Sequence, residues 1–176
     1  MKVYLSRSVA ERDGSLLDRL AETGSELGVS LFMAPRPWEP RTTMPPAVRE
    51  EILASDLFLV WAMAGGESLY FVNMEMSFVR NIRPRLPVFV VMDKNAPRSG
   101  FLQLPGGGSR SGGFWFDPLD PRRAFEHARH LATENVEFAR DMAAPFRAFL
   151  GSAIESLYRH LGWQLNPAGA VVARNG

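Results

Sequence analysis

Leu57-Phe58-Leu59-Val60-Trp61 is apolar at every position. A strand with one solvated face alternates apolar and polar residues, whereas one buried on both faces reads as a continuous apolar run. This run therefore predicts a central strand of a parallel sheet. Its neighbours fit the same pattern. Upstream, Val3-Tyr4-Leu5 meets the polar turn Ser6-Arg7-Ser8, and Leu16, Leu17, Leu20, Gly24 and Leu27 recur at helical spacing before a stop at Gly28. Val29 to Met33 gives a second strand, and Val48, Ile52 and Leu53 mark one face of a short helix ending near Ser55. Downstream, Tyr70, Phe71, Met74, Phe78 and Ile82 mark a helix, and Pro87 to Met92 a fourth strand. Strands alternating with helices imply a parallel sheet with helices on both faces.

After the fourth strand, Gly106 to Gly113 is a glycine- and serine-rich stretch without a P-loop lysine, and its composition predicts a flexible connector. Phe114-Trp115-Phe116 reads as a short fifth strand. Asp120-Pro121 opens a helix carrying Phe125, Ala128 and Leu131. Pro145 predicts a break in the helical tail. Phe146, Leu150, Ile154, Leu157 and Leu161 form an apolar stripe, which reads either as a face packed on the domain or as a docking face. Residues after Gly162 read as a frayed terminus. The expected architecture is α/β and flavodoxin-like: three layers around a parallel five-stranded sheet over residues 1–132, with a C-terminal helical extension over 133–176.

Composition narrows the chemistry. The 176 residues hold 20 Lys+Arg against 19 Asp+Glu, a net charge of +1, so bulk charge does not recommend a nucleic-acid partner. There is no cysteine, which removes disulfides, thiolate metal sites and thiol catalysis. The three histidines give no metal spacing, so no metal site is expected. The first residues do not resemble a signal peptide and no apolar stretch is long enough to span a membrane, so a cytoplasmic protein is expected. Carboxylates, hydroxyls and arginines remain.

In parallel α/β sheets the reactive crevice lies beyond the carboxyl ends of the strands. Glu75 follows the third strand's loop and sits among Tyr70, Phe71, Met74, Met76 and Phe78. Two readings apply. An acid in the first turns of a helix complements the macrodipole. Alternatively, an acid in an apolar setting is expensive to bury and marks a functional site.

These segments together resemble the TIR (Toll/interleukin-1 receptor) domain family. Val3-Tyr4-Leu5-Ser6-Arg7-Ser8, with Asp13 after it, is similar to that family's opening strand, serine turn and acidic residue. Ile52-Leu53-Ala54-Ser55-Asp56-Leu57-Phe58-Leu59-Val60 is similar to its helix end, Ser-Asp and third strand, and Glu75 follows at a similar distance. Ser68 and Tyr70 stand where such proteins place a serine and a tryptophan, with one residue more before the glutamate. The resemblance covers about residues 2–132. It implies cleavage of the nicotinamide–ribose bond of NAD⁺, by hydrolysis or cyclisation, in bacterial defence. NAD would then be substrate, with no separate cofactor. Glu75 would be the catalytic carboxylate, with Ser6, Arg7, Asp13, Trp38, Trp61, Ser68, Tyr70 and Phe71 around the substrate. The tail would serve a homo-oligomer or a partner protein. Nucleoside 2-deoxyribosyltransferases are similar too, with an Asp before the third strand and a glutamate on the following helix. A third reading is a non-catalytic TIR-like module that recruits partners or binds a nucleotide.

Overall fold

The computed structural model describes residues 1–8, 14–35, 43–62, 69–93, 111–116, 143–160, 163–165 and 171–173. Four strands, β1 (Lys2–Arg7), β2 (Ser30–Met33), β3 (Leu57–Ala62) and β4 (Val88–Asp93), pair in parallel, and Ser111–Phe116 (β5) joins β4, also in parallel. The spatial order is β2-β1-β3-β4-β5. Between them run the helices α1 (Gly14–Glu26), α2 (Pro46–Leu53) and α3 (Tyr70–Ile82), and α4 (Ala143–His160) follows the sheet.

Alternation along the strands divides the core into two. Val3, Leu5, Leu57, Leu59, Trp61, Phe89 and Val91 face α1 and α4, which contribute Leu16, Leu20, Phe146, Phe149 and Leu150. Tyr4, Phe58, Val60, Val88 and Val90 face the other way, onto Val48 and Ile52 of α2 and Val72, Met76 and Val79 of α3. All six residues of β3 are buried, which is why its sequence carries no alternation.

Helix α1 stops where the pattern predicts, with Gly28 at φ 70° in the left-handed region. Gly24, on its inner face, is required for a different reason. A Cβ there would lie 2.9 Å from the Val29 carbonyl oxygen, so any side chain would push β2 away from the helix.

Two expectations need correction, and the one at Pro145 is sharpened. β5 begins at Ser111, so Gly112 and Gly113 pair with Phe89 and Val90 and are not connector. Backbone pairing with an established neighbour overrides their weak strand preference. Helix α4 begins at Ala143, so Pro145 is its third residue, where an N–H has no intrahelical acceptor to lose; the tail before Ala143 lies outside the described residues. Beyond Gly162 the chain forms an antiparallel pair, β6 (Trp163–Leu165) with β7 (Val171–Ala173), where a frayed end was expected. Within the apolar stripe of α4, Phe146 and Leu150 are spent on the core, together with Phe149 and Ala153. The helix expected after Asp120 lies outside the described residues. No helix among the described residues is long and apolar enough to cross a membrane.

Candidate functional site

The order β2-β1-β3 fixes where a crevice can form. From β1 the chain crosses to β2 on one side, while β3 lies on the other, so the connections diverge above the carboxyl ends of β1 and β3. Ser6 and Arg7 end β1, and their partners in register are Val60 and Trp61.

Helix α3 begins above those ends and descends across the face of the sheet carrying Tyr4 and Ser6. Its buried residues are Val72, Glu75, Met76 and Val79, at the i, i+3, i+4, i+7 spacing of a core-facing stripe. Glu75 occupies one of those core positions and is fully buried. It is the sixth residue of the helix, and no acid stands in the first turn. The macrodipole account of Glu75 therefore fails, since that field acts within the terminal turn.

Two hydroxyls on β1 meet the carboxylate. Tyr4 donates to Oε1 at 2.6 Å and Ser6 donates to Oε2. Both donors are themselves fully buried. Tyr4 is fixed by its ring, which stacks on Phe58 at 5.3 Å with an interplanar angle of 6° and tilts against Phe32 at 5.7 Å. Hydroxyl donors make burial of a carboxylate tolerable.

The remaining predicted residues divide. Phe71 lies one turn before Glu75 and packs at the edge of the α2–α3 core. Tyr70, at the start of α3, is 46% exposed and meets Phe71 edge-on at 5.5 Å. Arg7 and Trp61 lie across the sheet from Glu75: Trp61 is buried in the α1–α4 core, and alternation turns Arg7 to the same side. Asp13, Trp38 and Ser68 lie outside the described residues. Among the described residues, no three His, Asp or Glu side chains gather as a metal site would require.

Tyr4 was not among the expected site residues. The available signal was the pair Tyr4 and Ser6 at i, i+2, which puts two hydroxyls on one face of an otherwise apolar strand. Asp56, which anchors the motif resemblance, belongs elsewhere. It sits at the amino ends of the strands, where its Oδ2 accepts the Lys2 N–H at 2.7 Å and its own N–H donates to the Lys2 carbonyl at 2.8 Å.

No family model and no curated protein matches the chain. Among solved structures, it is similar to the TIR domains of the activated Roq1 resistosome directly recognizing the pathogen effector XopQ. That match has 14% identity and a TM-score of 0.37, covering 88% of this chain and 83% of that one. At that distance it assigns neither membership nor activity.

Proposed function

We propose that this chain cleaves the N-glycosidic bond between nicotinamide and ribose in NAD⁺, using Glu75 as its one essential carboxylate. The observation that carries the reading is Glu75 itself: an acid at a core position of α3, gripped by Tyr4 and Ser6 below the crevice between β1 and β3. An apolar residue there would pack at no electrostatic cost, so the acid calls for a reason other than stability. The motif resemblance to TIR enzymes supplies the bond. The fold that goes with it is a flavodoxin-like domain over 1–132 with a helical extension over 133–176, acting in the cytoplasm.

The chemistry needs only one acid. As the C1′–N bond breaks, its electron pair neutralises the pyridinium nitrogen, and nicotinamide leaves without a proton donor. Positive charge develops at C1′ and the ring oxygen, where a carboxylate stabilises it or traps it covalently. Water then attacks C1′ and loses a proton to give ADP-ribose, or an adenine nitrogen attacks to give a cyclic product. Tyr4 and Ser6 hold Glu75 in position, which changes the part expected of Ser6 from ribose contact to positioning. In this reading Phe71 and Tyr70 stack on a base, and Asp13, Trp38 and Ser68 are further substrate contacts. We place contact with a second copy or a partner protein on the tail beyond Ile154.

A second reading draws on the same burial. A carboxylate with both oxygens held by hydroxyls can also be a polar clamp between α3 and β1 in a non-catalytic module. Incubating the purified protein with NAD⁺ at high protein concentration separates the two. Release of nicotinamide that disappears in Glu75→Gln supports catalysis. An inactive wild type leaves the clamp, and base exchange on deoxynucleosides would assign the transferase chemistry.

A further inference from the structure

We propose a second element of the site on the opposite face of the sheet: a seat for a phosphate or diphosphate group, formed by the indole N–H of Trp61 and the guanidinium of Arg7. It deepens the reading above and rests on it, because it specifies that the substrate is a nucleotide carrying phosphate and not a free nucleoside.

The starting observation is an unmet donor. Trp61 is fully buried, and its Nε1 has no hydrogen-bond partner among the described residues. Buried indole N–H groups are ordinarily paired, and one that is not asks for an acceptor. Position supplies the second point. Trp61 is next to last in β3, and its register partner is Arg7, the last residue of β1. Adjacent partners in a parallel pair project to the same face, so the two side chains are neighbours at the carboxyl ends, beside the divergence of the chain.

Chemistry gives the ligand class. Indole and guanidinium are donors only, and Arg7 has donors enough to keep its present contacts and still meet a ligand oxygen. Two donors, one of them cationic, select an anionic oxygen group, and the fork of arginine fits phosphate. Sequence then links this seat to Glu75. Ser6 and Arg7 are consecutive, so their side chains leave β1 on opposite faces, Ser6 toward Glu75 and Arg7 toward Trp61. A nucleotide lying over the end of β1 would set its ribose on one side and its phosphates on the other.

The test follows the Trp61 indole N–H by ¹⁵N–¹H NMR in the full chain. Its resonance is assigned by loss in Trp61→Phe, and independently by exclusion with Trp38→Phe, Trp115→Phe and Trp163→Phe. Addition of ADP or inorganic pyrophosphate is expected to shift that resonance, and adenosine to leave it in place. Arg7→Gln and Trp61→Phe should each weaken ADP binding at least about tenfold by calorimetry. An unmoved resonance at saturating ADP, no binding of ADP by the wild type, or equal movement with adenosine overturns the proposal. Failure here with intact NAD⁺ cleavage removes the seat alone. A shift with ADP but no nicotinamide release would instead keep the seat and remove the glycosidase.

Discussion

The two ends of this sheet each hold a polar cluster, and they are built on opposite principles. At the amino ends, the Lys2 N–H donates to Asp56 Oδ2 and the Asp56 N–H to the Lys2 carbonyl, Lys2 Nζ meets Glu51 Oε2 at 2.7 Å, and Arg83 donates to the carbonyls of Leu53 and Ser55 at 2.7 and 2.8 Å. Those groups are exposed or half-buried, and each answers a structural need: a strand start, or the open carbonyls at the end of α2. At the carboxyl ends, Glu75, Tyr4 and Ser6 are fully buried, and no strand start or helix end requires them. Polarity satisfied at the rim of a fold is ordinary. Polarity imported into its core adds little net stability over an apolar residue that packs as well.

That contrast breaks most sharply at Glu75. Glu75→Gln keeps the volume; one hydroxyl still donates to the amide oxygen and the other must turn to accept from the amide nitrogen, so the fold should survive with melting temperature within a few degrees of the wild type. Nicotinamide release should fall by about a hundredfold or more, the scale seen when a transition-state charge loses its electrostatic partner. A variant that cleaves NAD⁺ at the wild-type rate would show the core acid to be structural after all.

Tyr4→Phe comes next in size. It leaves Glu75 Oε1 without this donor, and removing one partner of a buried bond costs about 1–3 kcal/mol in denaturant unfolding. The companion Tyr4→Phe/Ser6→Ala/Glu75→Met removes all three polar groups together. It is expected to recover that loss, at or above wild-type stability, while remaining inactive. A triple variant less stable than Tyr4→Phe would mean that the cluster holds α3 to β1, and would favour the clamp.

The sequence makes some of this legible and conceals the rest for definable reasons. β3 reads plainly because burial on both faces leaves an unbroken apolar run, and α1 because its stripe ends at a glycine that needs φ 70°. Gly112 and Gly113 mislead because local preference favours a loop, and only β4 alongside makes them strand. In the site, an acid interrupting an apolar stripe is visible in one dimension. What that acid meets is not, since the meeting of α3 with β1 joins residues about seventy apart. Trp61 shows the same limit. Its parity sets it on one face of β3, but only the packing of the helices shows that this face is not Glu75's.

At the other end of the sheet the effects are smaller and confined to stability. Arg83→Met should cost about 1–2 kcal/mol, because one guanidinium nitrogen serves several carbonyls at the end of α2. Chemical-denaturation midpoints measure it, and NAD⁺ cleavage by the folded fraction should not change. Loss of activity at full folding would show that the two clusters communicate along α3, which Arg83 follows directly.

The smallest effect belongs to Lys2 and Glu51. Their contact is short, yet the side chains are 34% and 31% exposed, so water competes for both charges and salt screens them. A double-mutant cycle with Lys2→Met and Glu51→Gln should give a coupling of about 0.5 kcal/mol at low salt, fading toward zero as salt is raised. The backbone bracket between Lys2 and Asp56 stays intact in Lys2→Met, so the cycle isolates the ion pair from the strand start. A coupling above about 1 kcal/mol that survives high salt would place this pair in a low-dielectric setting. The amino-end cluster would then also contain polarity that burial makes consequential, and the division between the two ends of the sheet would become one of degree.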